Sequence, residues 1–166
     1  MLAYGAKVIA RSPKGTREIA IDDFFVGLFE SSLAAGEILT EIRIPTPGVG
    51  AGGAYLKIER KVGDYAVAAV AVQLTFAGGL VTAARIGLTN VSPVPSRAKK
   101  AEAALVGKAP TDDVLEAAGK AASLECEPSA DLRGKEDYKR DMVRVLVKRA
   151  VKKAVARAAA GQGAKA

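Results

Sequence analysis

The pattern of apolar and polar positions is most regular in the middle of the chain. Ala66–Phe76 and Leu80–Asn90 are rich in the β-branched and apolar residues of strands, and Ala77-Gly78-Gly79 separates them. Glycine reaches the positive φ that a tight turn requires. The pattern therefore predicts a β-hairpin around which the rest of the chain is arranged.

Shorter strand patterns precede this hairpin. Ala6–Arg11 and Arg17–Ile21 flank the turn-forming Ser12–Thr16, which predicts a second hairpin. Ile38–Ile44 alternates in the manner of a strand with one apolar face. Between them, Asp22-Asp23 precedes Phe24-Phe25-Val26, where we predict a short helix whose first amides a carboxylate caps.

Pro45–Gly53 marks a division of the chain. It holds two prolines and four glycines, so we predict no regular element there. We expect a first unit at residues 1–47, a linker at 48–53, a second unit at 54–160 and a frayed tail at 161–166. Tyr55–Arg60 has the alternation of a strand and begins the second unit.

Helical patterns occupy the last part of the chain. We expect Ser96 to cap a helix over about Ala98–Val106 and Thr111 to cap another over about Val114–Glu125. A third helix is predicted from about Glu136 to Ala159. About three strands followed by about three helices predict an α+β fold, with the helices covering one face of a small antiparallel sheet.

The last helix has an apolar stripe and a basic stripe. The apolar residues at helical spacing are Met142, Leu146, Val147, Ala150, Val151, Ala154 and Ala158. The basic residues, one in every four, are Arg140, Arg144, Lys148 and Lys152. Like charges at this spacing destabilise an isolated helix. Packing of the apolar stripe or an anionic partner must therefore stabilise it.

Composition limits the kind of core and the cellular location that we expect. Aromatic residues make up 5% of the 166 residues and Trp is absent, so the core must be built mainly from Val, Ile, Leu and Ala. No uncharged apolar run reaches the roughly 18 residues that span a bilayer. The N-terminus has no basic region ahead of its apolar stretch, so we expect no export signal and a cytoplasmic protein.

The absence of histidine excludes several kinds of catalysis. Ser-His and Cys-His nucleophile pairs, histidine general bases and the usual zinc sites are unavailable. Cys126 is the one cysteine, so neither an intrachain disulfide nor a cysteine metal cluster forms. We therefore expect no catalytic residue and no metal ligand on this chain, with the chemistry carried by a bound cofactor or a partner subunit.

The net charge of +7 lies near the C-terminus, where from Lys139 onward nine basic residues oppose Asp141 alone. An acidic protein or a nucleic acid is one explanation, because basic side chains displace phosphate counterions. A solvated face or a subunit interface is the other. No aromatic residue is interleaved with these charges, which disfavours nucleic acid.

Lys57, Asp64 and Tyr65 form a candidate binding cluster. An aromatic residue at a turn beside an acid and a lysine is suited to stack on a planar heterocycle while the polar groups bond its edge. The alternative is that Gly63-Asp64 is simply a good turn and Tyr65 covers the edge of the sheet. From chemistry alone, that alternative is favoured.

Several ordered segments resemble the medium, flavin-carrying subunit of the molybdenum hydroxylases, the family of aerobic carbon monoxide dehydrogenase and xanthine dehydrogenase. They are Asp23-Phe24-Phe25-x-Gly27, Gly36–Pro45, Gly53-Ala54-Tyr55-x-Lys57 with Arg60–Ala66, and Asp131–Gly134 with Tyr138-x-Arg140. The basic final helix follows in the same order.

The resemblance implies an oxidoreductase subunit with an FAD site. Residues 1–47 would end the FAD-binding domain, and the second unit would be the family's C-terminal domain. Leu39 would lie near the adenine of FAD, Lys57 and Asp64 along the cofactor, and Tyr65 against the isoalloxazine ring. The family's glycine-rich pyrophosphate segments belong to a half that is not matched here, so we expect a partial FAD site and no activity from the isolated chain.

The resemblance also implies partners. A molybdenum-binding large subunit would oxidise the substrate, and an iron-sulfur small subunit would deliver electrons to the flavin, which passes them to an external acceptor. The alternative is a non-catalytic assembly module that docks an acidic protein or a nucleic acid through its basic C-terminal helix.

Overall fold

The computed structural model describes residues 1–163. After a short 3-10 helix at Leu2–Tyr4, the chain forms a three-stranded antiparallel sheet. This first sheet has the order β2-β1-β5 and consists of β1 (Lys7–Ser12), β2 (Gly15–Ala20) and β5 (Ile38–Arg43). Val8 of β1 lies opposite Ile19 on one side and Ile42 on the other. A small core of buried residues forms on it, and the predicted strands of this part are confirmed.

The helix predicted at Phe24–Val26 is wrong. Ile21–Asp23 forms a short 3-10 turn, and Phe25–Gly27 is strand β3, which pairs with β4 (Glu30–Ser31). The backbone of this segment is satisfied by hairpin pairing rather than by a helix. The Asp22 carboxylate is held by arginines of the second sheet, so it does not cap a helix.

The second sheet is four-stranded and antiparallel. Its order is β6-β7-β8-β9, and its strands are β6 (Ala51–Ile58), β7 (Ala68–Ala77), β8 (Leu80–Thr89) and β9 (Ser96–Arg97). The central hairpin is confirmed, with Ala77 opposite Leu80. Gly78 and Gly79 form its turn at φ of 58° and 80°, the positive values that favour glycine.

The prediction that Pro45–Gly53 holds no regular element is wrong from Ala51 onward, where β6 begins. Composition misled here because the glycines of β6 serve close packing. A Cβ on Gly52 would lie 2.0 Å from the carbonyl oxygen of Ala154, so only glycine lets the final helix approach this strand.

Three helices cover one face of the second sheet. They are α1 (Lys99–Leu105), α2 (Asp112–Glu125) and α3 (Glu136–Gly163), and their buried residues form the main core with β7 and β8. The predicted α+β class is confirmed. Helix α3 extends four residues beyond the predicted end at Ala159, so 161–163 are helical, and the last three residues of the predicted frayed tail lie outside the described residues.

Of the two caps predicted for α1 and α2, one is present. Thr111 caps α2, since its Oγ1 accepts a hydrogen bond from the Val114 amide at 3.4 Å. The cap predicted at Ser96 is wrong, because Ser96 lies in β9. The Glu125 carboxylate at the end of α2 instead accepts the α1 amides of Lys100 at 2.9 Å and Ala101 at 3.2 Å.

The apolar stripe of α3 is buried as predicted, except that Met142 is only partly covered and Val143, which the pattern missed, is fully buried. Cys126 is also buried. Among the described residues, no helix combines the length and apolar character needed to cross a membrane.

Candidate functional site

A loop between β6 and β7 brings Lys57 and Asp64 together. The Lys57 ammonium donates a hydrogen bond to the Asp64 carbonyl oxygen at 3.0 Å. Gly63 turns the chain at φ of 86°, and the Asp64 amide bonds back to the Lys61 carbonyl at 3.1 Å. This loop is therefore closed by its own hydrogen bonds.

The Asp64 side chain fixes the loop. It is 11% exposed, and its carboxylate accepts the Tyr65 amide at 2.8 Å, Arg60 Nε at 3.3 Å and Arg133 Nη2 at 3.5 Å. The amide hydrogen bond from Tyr65, together with the two arginines, outweighs the cost of desolvation and lowers the pKa of Asp64. Asp64 is thus an anionic anchor for the backbone of its neighbour.

Lys57 also forms an ion pair with Glu59, the residue just after the end of β6. Its Nζ lies 2.5 Å from Glu59 Oε2, and this hydrogen bond raises the pKa of the Lys57 ammonium above its ordinary value. Lys57 stays charged at neutral pH and holds the base of the loop.

Tyr65 stands out from this anchored loop. Its backbone is held by Asp64, and the residue is 81% exposed. The guanidinium carbon of Arg133 lies 5.4 Å from the ring centroid, within the range of a cation–π contact. One face of the ring thus meets a cation, and most of the remaining ring is open.

Sequence reasoning assigned no role to Arg133. It projects from Asp131–Gly134, a turn closed by reciprocal backbone hydrogen bonds at 3.1 and 3.2 Å, and Asp131 Oδ1 also accepts the Arg133 amide at 2.8 Å. The other oxygen of Asp131 pairs with Lys139, 2.9 Å away and 1% exposed. The Asp-x-x-Gly pattern was the available sequence signal. It predicts a turn at Arg133, but it does not predict that this turn lies close to Tyr65.

The structure brings three of the four predicted site residues together. Leu39 lies apart from them in sequence and sheet: it is half-buried in β5, opposite Ala10, and packs on the core of the first sheet. A cavity of about 400 Å³ lies between the β1–β2 turn and Ala34–Glu37 of the same unit, and its lining does not include the Tyr65 loop.

The basic stripe of α3 is neutralised within the molecule. Arg144 and Lys148 pair with Glu116 of α2, and Lys152 pairs with Asp112 at 2.6 Å. Arg140 donates to the carbonyl oxygens of Ser123 at 3.1 Å and Cys126 at 2.6 Å. Helix α2 therefore supplies acidic partners to three of the four residues of the basic stripe, and the apolar stripe is packed as well.

A flavin fits the chemistry of the Tyr65 loop. An exposed aromatic ring on a fixed backbone offers a stacking surface for a planar heterocycle. Lys57, Arg60 and Arg133 are paired with the carboxylates of Glu59 and Asp64, which leaves one positive charge in excess beside the ring, as suits an anionic cofactor.

Two family profiles match the chain. Residues 53–154 match the CO dehydrogenase flavoprotein C-terminal domain, and residues 1–47 match the FAD binding domain in molybdopterin dehydrogenase. The chain is 42% identical over 142 residues to the carbon monoxide dehydrogenase medium chain of Hydrogenophaga pseudoflava, covering 86% of this chain and 50% of that protein. Identity to the medium chain of Afipia carboxidovorans is 43% over 143 residues, with the same coverage of 86% and 50%.

Solved structures agree with these sequence matches. Carbon monoxide dehydrogenase from Hydrogenophaga pseudoflava gives a TM-score of 0.92 at 46% identity, over 94% of this chain and 54% of that chain. Quinoline 2-oxidoreductase from Pseudomonas putida gives 0.85 at 30% identity, over 98% of this chain and 55% of that chain. The chain spans about half the length of the curated relatives that it matches.

Proposed function

Because the chain belongs to the CO dehydrogenase flavoprotein family, we propose that it forms the part of an FAD-binding medium subunit that shields the flavin of a molybdenum hydroxylase. The observation that carries this proposal is the exposed Tyr65 ring on a loop whose backbone is fixed by Asp64. The fixed backbone holds this exposed ring in one place, which is what a stacking surface for a planar cofactor requires.

Each predicted site residue has a part in this proposal. Tyr65 stacks against the isoalloxazine ring, and Asp64 fixes the Tyr65 backbone. Lys57 holds the loop through the Asp64 carbonyl oxygen and adds positive charge beside the cofactor. Leu39 packs near the adenine end, and its place on β5 leaves its side chain only half-buried by the first core.

Bound FAD would supply the electron-carrying chemistry, because no side chain of this composition does so. The residues of this chain orient the ring, exclude water from one of its faces and keep positive charge near it. We propose that electrons arrive from iron-sulfur centres of a small subunit, after substrate oxidation on a molybdenum-binding large subunit, and leave to an external acceptor.

The proposed organisation follows the two profile matches. One match ends at residue 47 and the other begins at residue 53, which supports a first unit at 1–47 and a second unit from about 54, for which we propose an end at 160. The linker predicted at 48–53 is shortened by β6, which begins at Ala51. A partial FAD site, an inactive isolated chain, a heteromeric complex and a cytoplasmic location complete the proposal. The alternative of a module that docks an acidic protein or a nucleic acid has less support, since α2 pairs three of the four residues of the basic stripe.

A chimaera tests the proposal. Residues 1–163 replace the matching half of the Hydrogenophaga pseudoflava medium chain, and the product is assembled with the other subunits of that relative's carbon monoxide dehydrogenase. We expect it to retain FAD through desalting and the flavin absorption to bleach when carbon monoxide is added. A folded, assembled chimaera that keeps no flavin would overturn the proposal.

A further inference from the structure

We propose that Arg133 is a positioning residue that selects which face of the Tyr65 ring is open to the cofactor, and that buried Lys139 holds Arg133 in place. The proposal rests on the function proposed above. It assigns a role to two residues that lie outside the candidate cluster of Lys57, Asp64 and Tyr65.

The first observation is the geometry at the ring. The Arg133 guanidinium lies over Tyr65, 5.4 Å from its centroid, while its Nη2 reaches Asp64 Oδ1 at 3.5 Å. A single side chain therefore contacts both the ring and the carboxylate that fixes the ring's backbone. With a cation on one face, only the opposite face remains for a planar ligand.

The second observation is how the turn that carries Arg133 is held against α3. An ion pair joins the Asp131–Gly134 turn to α3, because Asp131 Oδ2 lies 2.9 Å from Lys139 Nζ. Lys139 also donates to the Ser129 carbonyl oxygen at 2.9 Å, so its charge is satisfied although the residue is 1% exposed. A Cβ on Gly134 would lie 2.9 Å from the Tyr138 ring, so the turn packs closely on the helix. The turn is thus attached to α3 by an ion pair and by close packing.

The third observation is a polar group that stability alone does not explain. Arg133 Nε is buried and has no hydrogen-bond partner among the described residues. Such an N–H is costly to leave unpaired. The contacts that the guanidinium gains in return are those to Asp64 and Tyr65, which points to a role at this site rather than in the core.

The experiment uses the chain with its four tyrosines replaced by 3-fluorotyrosine. The loss of one fluorine NMR signal in Tyr65→Phe assigns the Tyr65 resonance. In Arg133→Met we expect this resonance to move toward that of free fluorotyrosine. Arg149→Met, at an exposed position of α3, is the matched control and should leave the resonance in place.

A second variant guards against misfolding. Arg133→Gln keeps the length and polarity of the side chain but removes the cation, and it should shift the same resonance. Native positions of the other three signals report an intact fold. An unmoved Tyr65 resonance in either folded variant overturns the proposal.

FAD titration separates this proposal from the function on which it rests. We expect Arg133→Met to weaken FAD binding by on the order of two- to fivefold, as a lost exposed cation–π contact implies. If the Tyr65 resonance shifts but neither Arg133→Met nor Tyr65→Ala alters FAD binding, Arg133 positions the ring but the flavin function fails, and the role toward the cofactor fails with it. If binding depends on Tyr65 but not on Arg133, the positioning role fails alone.

Discussion

Gly52 lies directly against the backbone of Ala154, such that a Cβ on Gly52 would be 2.0 Å from the Ala154 carbonyl oxygen. Because α3 cannot move away without opening the main core, we predict that Gly52→Ala lowers the free energy of unfolding by about 3 kcal/mol or more. Urea denaturation followed by circular dichroism measures this. Gly48→Ala is the control, since a Cβ there meets nothing within 4 Å. Equal stability of the two variants would contradict the packing.

Asp22 joins the first unit to the second sheet. Its carboxylate accepts hydrogen bonds from Arg85 and Arg97, both at 2.9 Å, and the Arg97 side chain is only 14% exposed. We predict that Asp22→Asn destabilises the chain by about 1–2 kcal/mol, because Arg85 and Arg97 each lose a charged acceptor and keep the Leu2 carbonyl oxygen and the Glu102 carboxylate, respectively. Thermal unfolding measures the loss, and the neighbouring Asp23→Asn should be nearly neutral.

The Asp22 contribution has a defined pH dependence. Burial opposes its charged form, but the hydrogen bonds from Arg97 and Arg85 outweigh this and hold the pKa below its usual value of 3.8. A lowered carboxyl pKa stabilises the fold above 3.8, and the contribution is lost as pH falls through the folded-state pKa. The stability difference between the wild type and Asp22→Asn should therefore shrink below pH 4.

The contacts of Glu116 explain how α3 tolerates its basic stripe. Glu116→Gln removes the acceptor of Arg144 and Lys148. We predict a small decrease in Tm, because these side chains are largely exposed, and the decrease should vanish at high salt. Binding of the wild-type chain to heparin should be weak, and the variant should bind more tightly. Strong wild-type binding would restore the polyanion alternative.

Glu37 provides a second acid-sensitive contact. Hydrogen bonds from Arg17 and the Ala34 amide lower the pKa of Glu37 from 4.5 to about 2. Its stabilising contribution is therefore complete above pH 4.5, declines as the pH falls and is lost near pH 2. Comparison of Tm from pH 7 to pH 2 should show Glu37→Gln converging with the wild type, while Glu127→Gln matches the wild type throughout.

Local signals predicted much of the fold. The Gly78-Gly79 turn and the Thr111 cap depend on residues close in sequence, and both are present. The predictions failed where a residue distant in sequence determines the local structure. Asp22 meets an arginine 63 positions away, and α1 is capped from 25 positions away by Glu125.

The candidate site shows the same limit. Lys57 lies near the end of β6, and Asp64 and Tyr65 lie in the loop that follows, so their proximity was predictable from their spacing. Arg133 is 69 positions from Asp64, and nothing in the periodicity of the sequence reports that contact. Its Asp-x-x-Gly turn indicated a conformation but not a neighbour.

The most direct test of the account is the fluorescence lifetime of FAD bound to the chimaeric medium subunit. A tyrosine stacked on the isoalloxazine ring quenches flavin emission, so we predict a short lifetime that lengthens in Tyr65→Ala. Tyr4→Ala, at another exposed aromatic position, should leave it unchanged. A lifetime that is the same with and without the Tyr65 ring would contradict the central claim that this ring shields the flavin.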